Sequence, residues 1–177
     1  MLAGCQESNI TSPSMETDGS AKPFVSLYIE NGQFSDHDSS YTFEVHAKSN
    51  VPDLYVGNTT IALYIENGFP FAALKNPDLT YISPKFTIGA PGYYKAYVAE
   101  YEDYEKKEFG LYLQILHLEN HGTGNTLNME KEKIAVIKCD VEFCVFDIVY
   151  DAENTIFLKP DYQRVLTGNY GALGGCQ

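Results

Sequence analysis

The sequence is poor in positive charge and contains no tryptophan. It has 12 Lys and Arg residues against 24 Asp and Glu residues, which gives a formal net charge of −12 at pH 7. A surface of that sign repels phosphate backbones, so we predict no nucleic-acid binding, and it also opposes adsorption to anionic lipid. No apolar run approaches the length of a transmembrane helix.

The familiar catalytic signatures are missing as well. The chain has no G-x-S-x-G, H-E-x-x-H, P-loop or dinucleotide fingerprint. Its four cysteines lack the C-x-x-C spacing of zinc and redox sites. We therefore predict a protein that is not an enzyme and needs no cofactor. Paired carboxylates for glycoside hydrolysis stay open, because their pairing is spatial.

Tyrosine, in contrast, is abundant, with 14 tyrosines and 10 phenylalanines in a chain of 177 residues. Tyrosine suits pleated, half-buried surfaces, so the composition favours β-structure. Hydrophobic residues make up 44% of the sequence, which is ordinary for a globular protein. The length suits one domain with a sizeable core that needs no metal or disulfide.

Apolar and polar residues alternate along most of the chain after residue 23, as in strands that bury one face. The alternation is clearest over 25–30, 41–47 and 61–66. One short helix is predicted over 161–166, between a proline and a glycine. Further strands are predicted over roughly 79–88, 92–102, 107–119, 133–140, 142–151 and 155–159.

One of these strand patterns occurs twice, because Leu27–Gly32 and Leu63–Gly68 share the same six residues, LYIENG. Each copy ends in Asn-Gly, which adopts positive φ readily and predicts a turn after the strand. The repeat is either a local duplication or two strands that meet the same packing demand. We favour a structural role for it over a binding role.

A tyrosine motif suggests the type of sheet. Gly92, Tyr94 and Ala96 have the Gly-x-Tyr-x-Ala spacing of a tyrosine corner, and the segment resembles the sixth strand of immunoglobulin-like sandwiches. The resemblance implies that the Tyr94 hydroxyl bonds back to the backbone, and that Ala96 takes the core position usually held by cysteine. It also implies a hairpin into a strand from Phe109 to Leu118. The family's cysteine pair and core tryptophan are absent.

The predicted fold is an all-β, antiparallel immunoglobulin-like sandwich with additional C-terminal strands. Residues 1–22 are predicted to be a tether, because they are rich in Ser, Thr, Gly and Pro and nearly free of large apolar side chains. Residues 23–120 form the sandwich core. Residues 121–177 add strands and a tail, either on the same sandwich or as a β-rich appendage.

The N-terminus carries a possible export signal. Leu2-Ala3-Gly4-Cys5 resembles the lipobox of bacterial lipoproteins, which implies a diacylglyceryl group on Cys5. The polar tether behind it spans about 20–25 Å as a random coil, as expected for a lipid-anchored domain. Gln6 follows the cysteine, and in that family a residue other than Asp there implies the outer membrane, facing the periplasm or the surface.

The basic and apolar regions of a signal peptide are missing before Cys5. We therefore expect that the true start lies upstream of Met1 or that the chain was trimmed. If Met1 is the true start, the protein is cytoplasmic and Cys5 stays a thiol.

If Cys5 carries lipid, Cys139, Cys144 and Cys176 remain, which allows one disulfide and one free thiol. On one unbroken strand Cys139 and Cys144 would point to opposite faces, because they are an odd number of positions apart. A disulfide from either of them to Cys176 is therefore predicted.

His117, Glu119 and His121 are the best metal candidates, since on a strand they project from one face about 6–7 Å apart. Two imidazoles and a carboxylate can bind zinc or another divalent ion. The alternative is two exposed histidines near a loop. The acidic segment 100–108 is predicted to be a solvated hairpin tip, with a site for a basic partner or a cation as the alternative.

These features predict a lipid-anchored, non-catalytic binding module at the bacterial cell envelope, whose tyrosines contact protein or glycan. The membrane is reached only through the N-terminal lipid. The alternatives are a metal-binding envelope protein that uses His117, Glu119 and His121, and an inhibitor or immunity-type lipoprotein with a basic partner.

Overall fold

The computed structural model describes residues 22–66, 73–86, 92–100, 109–117, 126–144, 146–159, 163–169 and 173–174. Among them, the helical element is a single 3-10 turn at Pro84–Phe86, and no helix is long and apolar enough to cross a membrane. The strands are β1 Phe24–Ser35, β2 Ser40–Ser49, β3 Leu54–Tyr55, β4 Thr59–Glu66, β5 Leu74–Ile82, β6 Gly92–Glu100, β7 Phe109–His117, β8 Thr126–Leu127, β9 Glu132–Val141, β10 Asp147–Tyr150, β11 Ile156–Leu158, β12 Arg164–Asn169 and β13 Leu173–Gly174.

The strands form two layers of a sandwich, which confirms the predicted all-β fold. The first layer has the order β5-β9-β2-β1 and is antiparallel throughout. In the second layer β7 lies between β6 and β4, and the other edge of β4 pairs with β10 and then with β11. Strand β12 connects the layers, because it pairs in parallel with β1 and antiparallel with β11.

The strands after residue 121 are integral to this sandwich. β9 lies inside the first layer, between β2 and β5, while β10 to β12 complete the second layer and its connection to β1. The short β3–β8 pair buries Leu54 and Leu127 beside the same core. The sandwich therefore needs strands from both ends of the chain.

The core lies between the layers and consists of the inward-facing residues of the alternating strands. The LYIE parts of the two copies, 27–30 and 63–66, lie in opposite layers, and each turns its Leu and Ile inward while its Tyr faces outward. The predicted turn at 67–68 lies outside the described residues. This arrangement agrees with two strands that meet the same packing demand. Residues buried almost completely include Leu27, Phe43, Val45, Ile61, Leu63, Ile65, Leu111, Ile137 and Phe157.

Two local predictions were wrong. Asn31 adopts φ of 57°, as expected, but Asn31 and Gly32 form an irregularity inside β1, and the turn to β2 comes at residues 36–39. The predicted helix over 161–166 is not formed from Arg164 onward, because those residues belong to β12. Their pairing with both β1 and β11 outweighs the weak local signal for a helix.

The irregularity at Gly32 generates a test. A Cβ at residue 32 would lie 2.0 Å from the hydroxyl oxygen of the buried Tyr41, whose ring packs edge-on against Phe146. We expect Gly32→Ala to lower the free energy of unfolding by about 1–3 kcal/mol, because the Tyr41 ring must move within a packed core. Urea denaturation measures the change. Gln33→Ala, at the exposed neighbouring position, is the control, and equal stability of the two variants would contradict the close approach.

Candidate functional site

The outer face of the first layer is rich in charges that pair with one another. We call the set Glu30, Glu44, His46, Lys131 and Lys133 the paired face. The Lys131 ammonium lies 2.7 Å from a Glu30 oxygen, and Lys133 is bound to Glu44. The Nε2 atom of His46 lies 2.8 Å from Glu44 and 3.6 Å from Glu30. The paired face therefore links β1, β2 and β9, and the residue just before β9, in one polar network.

Glu44 is the centre of the paired face. Its carboxylate also accepts a 2.8 Å hydrogen bond from the side-chain amide of Asn31, in the irregularity of β1. Hydrogen bonds from Lys133 and His46 lower the pKa of Glu44 to about 2. Because each group is satisfied within the network, this face is well suited to stabilise the sheet.

The outer face of the second layer has a different chemistry. Tyr64 on β4, Tyr97 on β6 and Tyr112 on β7 face outward and are half-buried, and we call them, together with Lys95, the tyrosine face. The rings of Tyr97 and Tyr112 stack with centroids 5.2 Å apart and planes 20° apart. The Lys95 ammonium lies 5.5 Å from the Tyr97 ring centroid. Stacked tyrosines offer a large, rigid contact area with hydroxyl groups at their tips.

Small residues shape the tyrosine face. The Tyr112 ring occupies the space that a Cβ at Gly110 would take, with ring atoms 2.4–2.7 Å from that position. Gly110 is also the register partner of Tyr64, and Ala62 is the register partner of Tyr112. Ala62 faces outward but is only 1% exposed, so the side chains around it close the surface. Larger residues at either position would push the rings apart.

A preformed bulge borders this face where β10 ends and β11 begins. The Thr155 hydroxyl accepts the Ala62 N–H at 3.0 Å, and the Ala62 carbonyl accepts from the Asp151 N–H at 3.0 Å and from the Thr155 hydroxyl at 3.3 Å. The Asp151 carboxylate accepts the N–H groups of Glu153 and Asn154 at 3.0 and 3.1 Å. A residue of β12, Arg164, donates to three carbonyls of the bulge. Residues 152–154 are thus held in an exposed, defined shape.

Of the three residues predicted to bind a metal, the structure describes one. His117 is the last residue of β7, opposite Gly92, while Glu119 and His121 lie outside the described residues. Within the ranges that are described, no group of three or more His, Cys, Asp or Glu side chains is arranged to hold a metal ion. The set His117, Glu119 and His121 therefore stays a prediction.

The other predicted positions are distributed over the sandwich. Gly92 opens β6, Ala96 is buried in the core, and the Tyr94 side chain lies outside the described part. Most of the acidic segment, 101–108, and the lipidation candidate Cys5 also lie outside it. The acidic tip and the lipid on Cys5 stay predictions.

The two cysteines in the described part of the chain are in different states. Cys139 is free and buried on β9, and burial raises its thiol pKa to about 12, so it is unreactive near neutral pH. Cys144 is disulfide-bonded. Cys176 lies outside the described residues, so the predicted bond to Cys176 stays a prediction.

Sequence reasoning identified exposed tyrosines in general but not this face. The available signal was the outward register of Tyr64, Tyr97 and Tyr112 in three alternating strands. Alternation places each tyrosine outside its own strand, but not beside the other two, because neighbours in a sheet can come from any part of the chain.

Comparison with known proteins supports the fold. No protein-family model matches the chain, and no curated protein matches it in sequence. Among solved structures, it is similar to the second type II cohesin module of the cellulosomal adaptor scaffoldin ScaA of Acetivibrio cellulolyticus. The TM-score is 0.50 at 9% identity, over 88% of this chain and 98% of that one.

A type I cohesin–dockerin complex of Clostridium thermocellum, Coh-OlpC-Doc435, also matches. The TM-score is 0.46 at 12% identity, over 93% of this chain and 96% of that chain. At such identities the similarity establishes the β-sandwich fold alone.

The paired face generates a prediction about pH. Because the folded-state pKa of Glu44 is below its ordinary value of 4.5, the stabilisation is complete above pH 5 and is lost as the pH falls toward 2. We expect Glu44→Gln to lower the free energy of unfolding by about 1–2 kcal/mol at pH 7, and by progressively less below pH 5. Urea denaturation across this pH range tests it, with Glu142→Gln, in the exposed pair with Lys75, as the control. A loss that does not change with pH would contradict this role of Glu44.

Proposed function

We propose that this chain is a lipid-anchored, non-catalytic binding module of the bacterial cell envelope, and that its tyrosine face docks a partner protein. The stacked pair Tyr97 and Tyr112 on the outer face of the second layer is the observation that carries the proposal. Such rings give contact area at a low cost in side-chain entropy, since each has only two rotatable bonds. Aromatic side chains are also enriched at protein interfaces.

The packing of the tyrosine face supports a role in binding. Its rings are ordered before any partner binds. The Tyr112 ring fills the space left free by the absence of a side chain at Gly110, and it stacks on Tyr97. A surface that is already ordered loses less entropy on association. The paired face offers no comparable area, since its charged groups already satisfy one another.

The fold offers a precedent for such a role. The solved structure with a TM-score of 0.50 is a module of an adaptor scaffoldin, so a sandwich of this shape serves in one adaptor protein. That precedent concerns the other protein, and the partner of this chain has to be recognised by its own surface residues.

The anchor in the proposal is supported by the N-terminal sequence. The motif Leu2-Ala3-Gly4-Cys5, followed by a mostly polar segment from 6 to 22, has the layout of a lipoprotein. The tether would reach about 20–25 Å from the lipid. Gln6 after the cysteine favours the outer membrane.

Site-specific crosslinking tests the docking face. We expect that a photo-crosslinking residue in place of Thr60, which faces outward on β4, captures a partner protein in intact cells of the native host. The same residue in place of Thr42, which faces outward on β2 in the other layer, is the matched control and should capture none. Mass spectrometry identifies the adduct.

The crosslink at Thr60 should disappear when Tyr97→Ala and Tyr112→Ala are combined, while the unfolding midpoint changes little. Equal capture at Thr60 and Thr42, a glycan in place of a protein, or no effect of the tyrosine substitutions would overturn the proposal.

Metabolic labelling tests the anchor. The chain is expressed with the genomic DNA upstream of Met1 in cells fed an alkyne fatty acid. We expect the label on the protein and the protein in the membrane fraction. Cys5→Ala should abolish both, because the thiol receives the lipid, whereas Cys176→Ala should leave both unchanged. A label that persists in Cys5→Ala, or that is absent from the unmodified chain, would refute the anchor.

A further inference from the structure

We infer that the partner of the tyrosine face is basic, and that Glu66, Asp147 and Glu153 receive its Lys or Arg side chains. This inference rests on the proposed function and adds the chemistry of the partner. The observations that carry it are a like-charge pair without a cationic partner among the described residues, a difference in charge pairing between the two layers, and a bulge that presents a carboxylate in a defined position.

The like-charge pair lies at the edge of the tyrosine face. Glu66 on β4 and Asp147 on β10 are register partners, both are exposed, and both point to the same side as Tyr64. Like charges directly opposite each other on antiparallel strands destabilise a sheet. Neither carboxylate has a cationic partner in the described part of the chain. The sheet therefore tolerates a repulsion that a basic partner would remove.

The first layer shows that the chain can neutralise such carboxylates within itself. The ion pairs recorded among the described residues all lie on or beside that layer, where Lys or His partners Glu30, Asp38, Glu44, Glu132 and Glu142. On the second layer the described cations include Lys95, which lies against the Tyr97 ring on β6, and Arg164, whose guanidinium donates to three backbone carbonyls of the bulge. Neither forms an ion pair with Glu66 or Asp147. Glu66 and Asp147 lie at the Tyr64 end of the tyrosine face, where their negative charge attracts positive partners and favours their approach.

The bulge supplies the third carboxylate. Glu153 is exposed, and its N–H and carbonyl are both held, by Asp151 and by Arg164 respectively. Asp151 and Thr155 are almost completely buried, so the bulge is anchored in the sheet rather than loosely attached. The Ala62 residue against which the bulge lies is the register partner of Tyr112. Glu153 is thus presented beside the tyrosine face with its backbone already ordered, which lowers the entropic cost of binding.

A selection experiment tests the charge of the partner. A phage-displayed library of random peptides is selected on the immobilised full chain, and the enriched peptides are titrated against variants. We expect enrichment in Lys and Arg together with aromatic or apolar residues. Combining Glu66→Gln with Asp147→Asn should weaken these peptides about tenfold, and Glu153→Gln should weaken them several-fold.

The matched control combines Glu30→Gln with Glu142→Gln, which makes the same change in net charge on the first layer, and peptide affinity should not change. Thermal unfolding separates binding from structure. The Glu66→Gln and Asp147→Asn variant should unfold at the same or a higher temperature than the unmodified chain, because a repulsion is removed while binding is lost.

The outcomes distinguish the two proposals. Selected peptides can bind in a Tyr112-dependent way and yet be neutral or acidic, or keep their affinity when the three carboxylates are neutralised. Either result would refute the basic partner but not the docking face. If the peptides bind the Tyr112→Ala variant with unchanged affinity, or if no binder is enriched, both the docking face and the basic partner are refuted. A lower unfolding temperature of the Glu66 and Asp147 variant would show that the pair stabilises the sheet, and would overturn the inference.

Discussion

Strand β4 is the element on which the second layer depends, because both of its edges must be hydrogen-bonded while its inner side fills the core. Ile61, Leu63 and Ile65 supply that inner side, and β7 satisfies one edge along almost the whole strand. The other edge is shared by β10 and β11, with a gap at Ala62. An unpaired buried backbone group is costly, and the Thr155 hydroxyl removes that cost.

The hydrogen bonds of Thr155 at Ala62 also shape the surface of the second layer. Because the chain leaves the sheet at Asp151 and returns at Thr155, three residues protrude beside the tyrosine face without breaking the ladder of β4. Arg164 on β12 ties the bulge to the strand that connects the two layers. The order of the candidate docking surface and the closure of the sandwich therefore depend on the same few hydrogen bonds.

The two outer faces of the sandwich differ in chemistry. The first layer carries a network in which Glu44 alone joins β1, β2 and β9, so its charges contribute to cohesion between strands. The second layer carries stacked aromatic rings and, at their margin, the like-charged register partners Glu66 and Asp147. Local conflicts of this kind are expected where a surface is shaped for a partner rather than for the stability of the isolated domain.

The sequence by itself determined much of the fold, and the reason is the two-residue period of a strand. Alternation in 25–30, 41–47 and 61–66 identifies which side chains face the core, and these residues are buried as that period requires. Local signals failed where pairing decides the conformation, as at Asn31-Gly32 inside β1 and at Arg164 in β12. Only the tertiary structure decided which outward residues became neighbours. Tyr97 meets Tyr112 across the pairing of the consecutive strands β6 and β7, and this pair meets Tyr64 and Glu66, with Asp147 opposite, only because β4 pairs with β7 and β10 from distant parts of the chain. Many strand orders satisfy the same alternation, and the packing of the whole core selects one of them.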